Sequence, residues 1–275
     1  MRFPGCGDAE LFARAWTPER DPRAVVVISH GLAEHSGRYE GLAARLVQEG
    51  FAVFALDHRG HGKSGGAARA NIGRFEHVVR DLGAFVARAQ REHPGRRMIL
   101  FGHSMGGLIA LACALHDQQA LHALVLSAPA LAAGEAASPL KLLAARLLSV
   151  IAPSTGALTL PASAVSRDPS VVRAYEQDPL VFRGSIPART LVELLGAMTA
   201  TAARAPELRL PVLVQHGTAD QLVPLLAVQP IYRRLGDERT RSLRTYEGLY
   251  HEVYNEPERE RVIGDLVRWL EAVPS

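Results

Sequence analysis

Arg97-Met98-Ile99-Leu100-Phe101-Gly102-His103-Ser104-Met105-Gly106-Gly107-Leu108-Ile109-Ala110-Leu111 joins an apolar run of strand length to one of helical length, with a single serine at the junction. Glycines stand two residues to either side of it, at 102 and 106. The pentad has the form of a nucleophile elbow, a strand-to-helix turn so sharp that the flanking residues must lack a Cβ. Such strained geometry pushes the Ser104 hydroxyl out above the sheet edge. A pentad of such common residues also arises by chance, so its flanks decide the reading. Met98 to Phe101 supplies the strand before it and Leu108 to Leu115 the helix after it.

Working outward, the same alternation repeats. Ala24 to Ile28 is a continuous β-branched run of the kind buried on both faces of a sheet, and it ends in Ser29-His30-Gly31-Leu32. Arg38 to Glu49 places Leu42, Ala43, Leu46 and Val47 on one helical face before Gly50. Phe51 to Leu56 is the next strand, Phe75 to Arg91 an amphipathic helix, and Ala123 to Leu126 a short strand after the elbow helix. Leu11 to Trp16 alternates weakly and reads as an edge strand. Regular alternation of this kind predicts an α/β fold with a mostly parallel central sheet and helices on both faces.

From about Pro129 to Pro206 the alternation stops, and helical patterns and proline-broken loops replace it without a convincing strand. We read an inserted helical cap over 129–206, with the core formed by 1–128 and 207–275. Within the insertion, Leu140 to Ile151 is apolar on more than one face, which suits core packing or peripheral contact with a lipid surface. The sheet resumes at Pro211 to Gln215, and Leu225 to Leu235 is a helix interrupted or kinked at Pro230. Leu243 to Tyr246 is the last strand, and the amphipathic segment Glu256 to Val273 covers the sheet.

Composition narrows the function classes. The 275 residues are 48% hydrophobic and 21% charged, and the net charge of +3 comes from dispersed arginines rather than a basic block, so nucleic acid is not implied. Two cysteines, Cys6 and Cys113, give neither a disulfide framework nor a metal ligand set. Asp8, Glu10 and Arg14 interrupt any signal-like apolar run, so the expected location is cytoplasmic. The Gly-rich loop from Asp57 to Gly66 fails both nucleotide-binding spacings, and its His58 and His61 read as loop histidines tied to backbone.

A serine hydroxyl needs a general base, normally an imidazole whose tautomer a carboxylate fixes. In an open α/β sheet these groups converge from loops at the carboxyl ends of strands, in the chain order nucleophile, acid, base. Asp220 and His251 each lie just beyond an apolar strand and follow Ser104 in that order. Asp237 and Asp265 look solvated, His216 would reverse the order, and His103 beside the elbow packs or hydrogen-bonds. Acyl transfer also needs two N–H donors for the developing oxyanion. Met105, after the nucleophile, supplies one; the strand-end segment His30-Gly31-Leu32 nominates Leu32 for the other.

The strings Ser-His-Gly-Leu-Ala-Glu-His-Ser-Gly-Arg-Tyr (29–39), Asp-His-Arg-Gly-His-Gly-Lys-Ser (57–64), Gly-His-Ser-Met-Gly-Gly (102–107) and the stretch from Ser166-Arg167-Asp168-Pro169 to Asp178-Pro179-Leu180 together resemble monoacylglycerol lipases. These are lysophospholipase-like serine hydrolases of the α/β-hydrolase fold, and the match runs from about residue 11 to 270. The resemblance implies Ser104 as nucleophile, Asp220 as acid, His251 as base, Leu32 and Met105 as oxyanion donors, a cap over an apolar acyl-chain channel, and no cofactor. Ala33 departs from the glycine that some members carry there, which bears at most on loop flexibility. The expected activity is hydrolysis of monoacylglycerols or similar single-chain acyl lipids through an acyl-enzyme. A general short-chain esterase, or a lysophospholipase, is the enzymatic alternative. A non-catalytic ligand-binding relative would usually lack a triad member, and all three are present here.

Overall fold

The computed structural model describes residues 1–7, 9–132 and 155–273. In chain order the regular elements are β1 (Arg2–Pro4), β2 (Glu10–Trp16), β3 (Ala24–Ser29), α1 (Glu40–Gln48), β4 (Phe51–Leu56), α2 (Phe75–Glu92), β5 (Arg97–His103), α3 (Met105–His116) and β6 (Ala123–Ser127). After them come β7 (Gly156–Leu158), α4 (Pro169–Gln177), β8 (Ile186–Pro187), α5 (Ala188–Arg204), β9 (Val212–Gly217), α6 (Leu225–Tyr232), β10 (Arg241–Tyr246) and α7 (Arg259–Ala272). Eight strands form one sheet in the order β1-β2-β4-β3-β5-β6-β9-β10, parallel throughout except where β2 meets β1 and β4.

Every residue of β3, β4, β6 and β9 is buried, which is why these strands read as unbroken apolar runs rather than alternating ones. Helices α2 and α3 cover one face with Leu82, Phe85, Leu108 and Leu111. On the other face α1 and α7 pack Leu42, Leu46, Ile263 and Leu266. Each fully buried aliphatic side chain of this kind contributes about 1.5–3 kcal/mol, so the two apolar layers dominate the fold's stability.

Register aligns the carboxyl ends of the parallel strands. Ser29 pairs with both Leu56 and Gly102, His103 with Ser127, Ser127 with Gln215, and Gly217 with Tyr246. The loops that follow these residues therefore emerge along one sheet edge.

Three expectations change. The Leu11 to Trp16 run is not the edge, because β1 pairs outside it; three residues ending in proline gave no periodic signal, and Phe3 is held by stacking on Phe85 at 5.3 Å. The segment between β6 and β9 does contain strands, since β7 and β8 form an antiparallel two-stranded ladder too short to show in the sequence. Helix α6 keeps Pro230 inside it and ends at Tyr232. The apolar stretch Leu140 to Ile151 lies outside the described residues. Among the described residues no helix is long and apolar enough to cross a membrane.

Candidate active site

Between β5 and α3 the chain turns through Ser104, which adopts φ +53° and ψ −121°, a conformation costly for any residue with a side chain. The surroundings force it. Ser104 donates its N–H to Ser127 O at 3.0 Å, and its carbonyl accepts from Gly107 and Ala130 at 2.9 and 3.0 Å. A Cβ at Gly106 would stand 2.1 Å from Ser29 O and 2.3 Å from His30 O, so α3 can start this close to the end of β3 only with glycine there. Overlapping backbone bonds and missing side chains thus hold the serine at the sheet edge.

Asp220 follows the end of β9 and is buried. Its Oδ1 accepts the Leu222 and Val223 N–H groups, both at 2.9 Å, which fixes the carboxylate plane. Its Oδ2 lies 2.7 Å from His251 Nδ1 and 3.2 Å from His216 Nε2. Burial alone would raise this carboxyl; the field of His251, with bonds from His216, His251 and the Val223 amide, outweighs it and holds the group well below the usual carboxylate range.

His251 follows the end of β10, buried, with its ring centroid 4.7 Å from that of His103, the residue before the elbow serine. Donation from Nδ1 to Asp220 leaves Nε2 as the free acceptor. Burial pushes the imidazole toward neutrality, yet Asp220, with Glu252 and Glu34 behind it, raises its pKa above the ordinary histidine value.

At the end of β3 the turn comes against this pair. A Cβ at Gly31 would lie 3.3 Å from Ser104 Cβ and 3.2 Å from His103 Cδ2. Among the described residues neither the Leu32 N–H nor the Met105 N–H has an acceptor. The structure therefore brings together at one sheet edge all five residues singled out from the sequence: Ser104, Asp220, His251, Leu32 and Met105.

The competing groups are occupied. His216 bonds Tyr232 Oη and Val223 O, both at 2.8 Å, as a strut beneath the acid. His103 Nδ1 faces Ser127 O at 3.1 Å, and burial lowers its pKa to about 4. His61 donates to Arg59 O at 3.0 Å, whereas His58 meets the Ser29 hydroxyl at 2.8 Å instead of backbone. Burial takes His61 to about 3 and His30 to about 4, with His58 well below its ordinary value, so all three stay neutral. Asp237 is exposed as expected. Asp265 is half-buried rather than fully solvated, and accepts from the Tyr246 hydroxyl at 3.1 Å. Among the described residues no cluster of His, Cys, Asp or Glu could hold a metal ion.

Ala33 does more than stiffen a loop. It is buried at φ +69°, a left-handed conformation that favours glycine, and its carbonyl accepts the Phe182 N–H at 2.8 Å. Sequence reasoning also passed over Glu34 and Glu252, which are buried beside the base, and Arg38, half-buried between them. Glu34 and Arg38 have helix-like i,i+4 spacing, but surface pairs share that spacing, so nothing in the string marked them as interior.

The Hydrolase_4 family model, described as serine aminopeptidase, S33, matches residues 20–258. The monoacylglycerol lipase of Mycolicibacterium smegmatis is 42% identical over 268 residues, covering 98% of this chain and 95% of that protein. The Homo sapiens monoglyceride lipase is 36% identical over 247 residues, covering 90% and 81%. The crystal structure of Paleococcus ferrophilus monoacylglycerol lipase superimposes with a TM-score of 0.84 at 30% identity, covering 96% of this chain and 99% of that one.

Proposed function

The chain belongs to this Hydrolase_4 family and is a serine hydrolase of the α/β-hydrolase fold, and from that premise we propose that it cleaves monoacylglycerols to fatty acid and glycerol with Ser104, Asp220 and His251 as its triad. The observation that carries the reading is the His251–Asp220 pair at 2.7 Å, with the His251 ring 4.7 Å from that of His103, the residue before a serine held in a strained elbow. The family description names a peptidase, but a shared fold does not fix the substrate. The near-full-length relatives above carry lipase names, and the substrate class follows them.

In the proposed reaction His251 Nε2 takes the Ser104 proton as Oγ attacks the ester carbonyl. Asp220 keeps Nε2 unprotonated beforehand and stabilises the imidazolium afterwards. The Leu32 and Met105 N–H groups receive the oxyanion; donors fixed before the reaction spend nothing on reorganisation as charge develops. Collapse of the tetrahedral intermediate breaks the ester C–O bond, with His251 returning the proton to the departing glycerol oxygen. Water, deprotonated by the same imidazole, then attacks the acyl-enzyme and releases the fatty acid. No step calls for a cofactor.

Residues 129–206 serve as a cap between core segments 1–128 and 207–275 in this reading. Support comes from two ties between the insertion and the turn after β3: the Phe182 N–H on Ala33 O at 2.8 Å, and Asp178 Oδ2 on His35 Nε2 at 2.8 Å.

The test is the hydrolysis rate across glycerol monoesters of increasing acyl length, beside matched lysophospholipids and p-nitrophenyl acetate. Rates should peak at medium or long monoacylglycerols, and Ser104→Ala should lose roughly 10⁴- to 10⁶-fold in kcat while melting as a folded protein. Retained activity in Ser104→Ala would refute the nucleophile. Turnover confined to short activated esters would refute the lipid substrate.

A further inference from the structure

Glu34 sits in the turn after β3, almost fully buried, and each of its carboxylate oxygens has separate work. Oε1 accepts the Gly31 N–H at 2.6 Å and the Tyr39 hydroxyl at 2.7 Å. Oε2 accepts from Arg38 Nη1 at 3.2 Å. The Arg38 guanidinium forks onto both oxygens of Glu252, with Nη2 to Oε2 at 2.7 Å, and lies over the Tyr175 ring of α4 at 4.6 Å. Glu252 is the residue after His251; it also accepts from Asn255 Nδ2 at 2.8 Å, and its backbone N–H donates to Val165 O at 2.8 Å.

We infer that Glu34 is a positioning residue for the proposed ester hydrolysis, holding the Gly31–Leu32 turn against Ser104 and tying it, through Arg38 and Glu252, to the segment that carries His251. The inference rests on the serine-esterase reading above and deepens it. Two observations and one general argument bear on it. The clamp falls on the peptide group directly preceding the Leu32 N–H, so any movement there displaces the proposed oxyanion donor. Moreover, the ion cluster does not staple two apolar core elements; it joins two loops that bear site groups, and Arg38 adds the Tyr175 ring of α4 in the insertion. Buried ion pairs are weak net stabilisers because desolvation offsets their attraction, so stability alone is a poor account of this one.

The cluster also has an electrostatic consequence. Two carboxylates and one guanidinium leave one net negative charge beside the base. The charged and titratable groups that face His251 are Asp220 from the loop after β9, Glu252 from its own segment, Glu34 and Arg38 from the turn after β3, and His103 at the end of β5. Glu34 thus favours the imidazolium that forms in each transition state, and removing its charge lowers the His251 pKa.

The experiment uses the full chain, p-nitrophenyl butyrate, a long monoacylglycerol and a fluorophosphonate label for Ser104. Glu34→Ala should lose about 10²-fold in kcat on both esters, comparable to losing an oxyanion donor, with KM changed less than about threefold. Its labelling rate should fall in parallel. Glu34→Gln keeps the shape and one acceptor; it should lose about tenfold and move the acid limb of kcat/KM to lower pH by about half a unit. Wild-type kcat and an unmoved acid limb in Glu34→Gln would overturn the inference, whatever its melting temperature, and leave the esterase reading intact. Should Glu34→Ala fail to fold, Glu34→Gln alone decides. A wild type that neither takes the label nor turns over either ester would overturn the esterase reading and this inference with it.

Discussion

Two regions of the chain are held by different physics. The core that carries the elbow rests on strands buried from end to end, with Val25, Val27, Ile28, Leu100 and Phe101 all at 0% exposure. The insertion between β6 and β9 packs Leu194 and Ala197 of α5 against that same core, and adds polar ties at its rim: Asp178 on His35, Phe182 on Ala33, Arg69 on Leu180 O at 3.2 Å, and Arg167 on Glu256 at 3.0 Å. Apolar burial in register leaves one arrangement of a strand end, because a slip of one residue turns every side chain to the wrong face. Polar ties at the rim are individually weak and can re-form elsewhere. The proposed reacting groups accordingly stand on the first kind of structure, and the second borders the turn after β3.

Acid should separate the two regions most sharply. Four buried neutral imidazoles, His30, His58, His61 and His103, lie at the core's strand ends, while residues 129–206 contain no histidine. Burial places each folded pKa below the unfolded value near 6.5, at about 4 for His30 and His103 and about 3 for His61. The unfolded chain therefore takes up protons first. Stability complete above about pH 6.5 is lost as pH falls toward those folded values, by up to about 2 kcal/mol per imidazole at pH 5. Thermal melts from pH 7.5 to 5 should show a steep fall in Tm; a flat profile would contradict the neutral, buried state of this cluster.

Next in size is the same substitution made once in each region. Gly106→Ala forces a methyl onto two backbone carbonyls in the core and should cost about 3 kcal/mol or more, read as lost soluble yield and a lower Tm. Gly196→Ala, on an exposed turn of α5 with nothing within 4 Å of the added methyl, should gain about 0.5–1 kcal/mol from helix propensity. Equal effects at the two positions would erase the contrast between the regions.

This division also set what could be read beforehand. The elbow, the order of Ser104, Asp220 and His251, and the doubly covered sheet were legible because long apolar runs and obligatory glycines have few physical readings. Strands β1, β7 and β8 were not, since segments of two or three residues hold their place by tertiary pairing rather than by periodicity. The Glu34–Arg38–Glu252 cluster was hidden for another reason. Charge spacing along a chain reports which side chains can meet and says nothing of whether they meet in water or in the protein interior.

Strands β6 and β9 are hydrogen-bonded neighbours, although everything between Ser127 and Val212 separates them in sequence. In chain-statistical terms the insertion is a closed loop whose ends the sheet has already joined. The entropy of closing a flexible loop grows only with the logarithm of its length, about 0.6 kcal/mol for each doubling. The pairing of β6 with β9, and with it the place of the strand end that leads to Asp220, therefore depends only weakly on how many residues are threaded between the two strands.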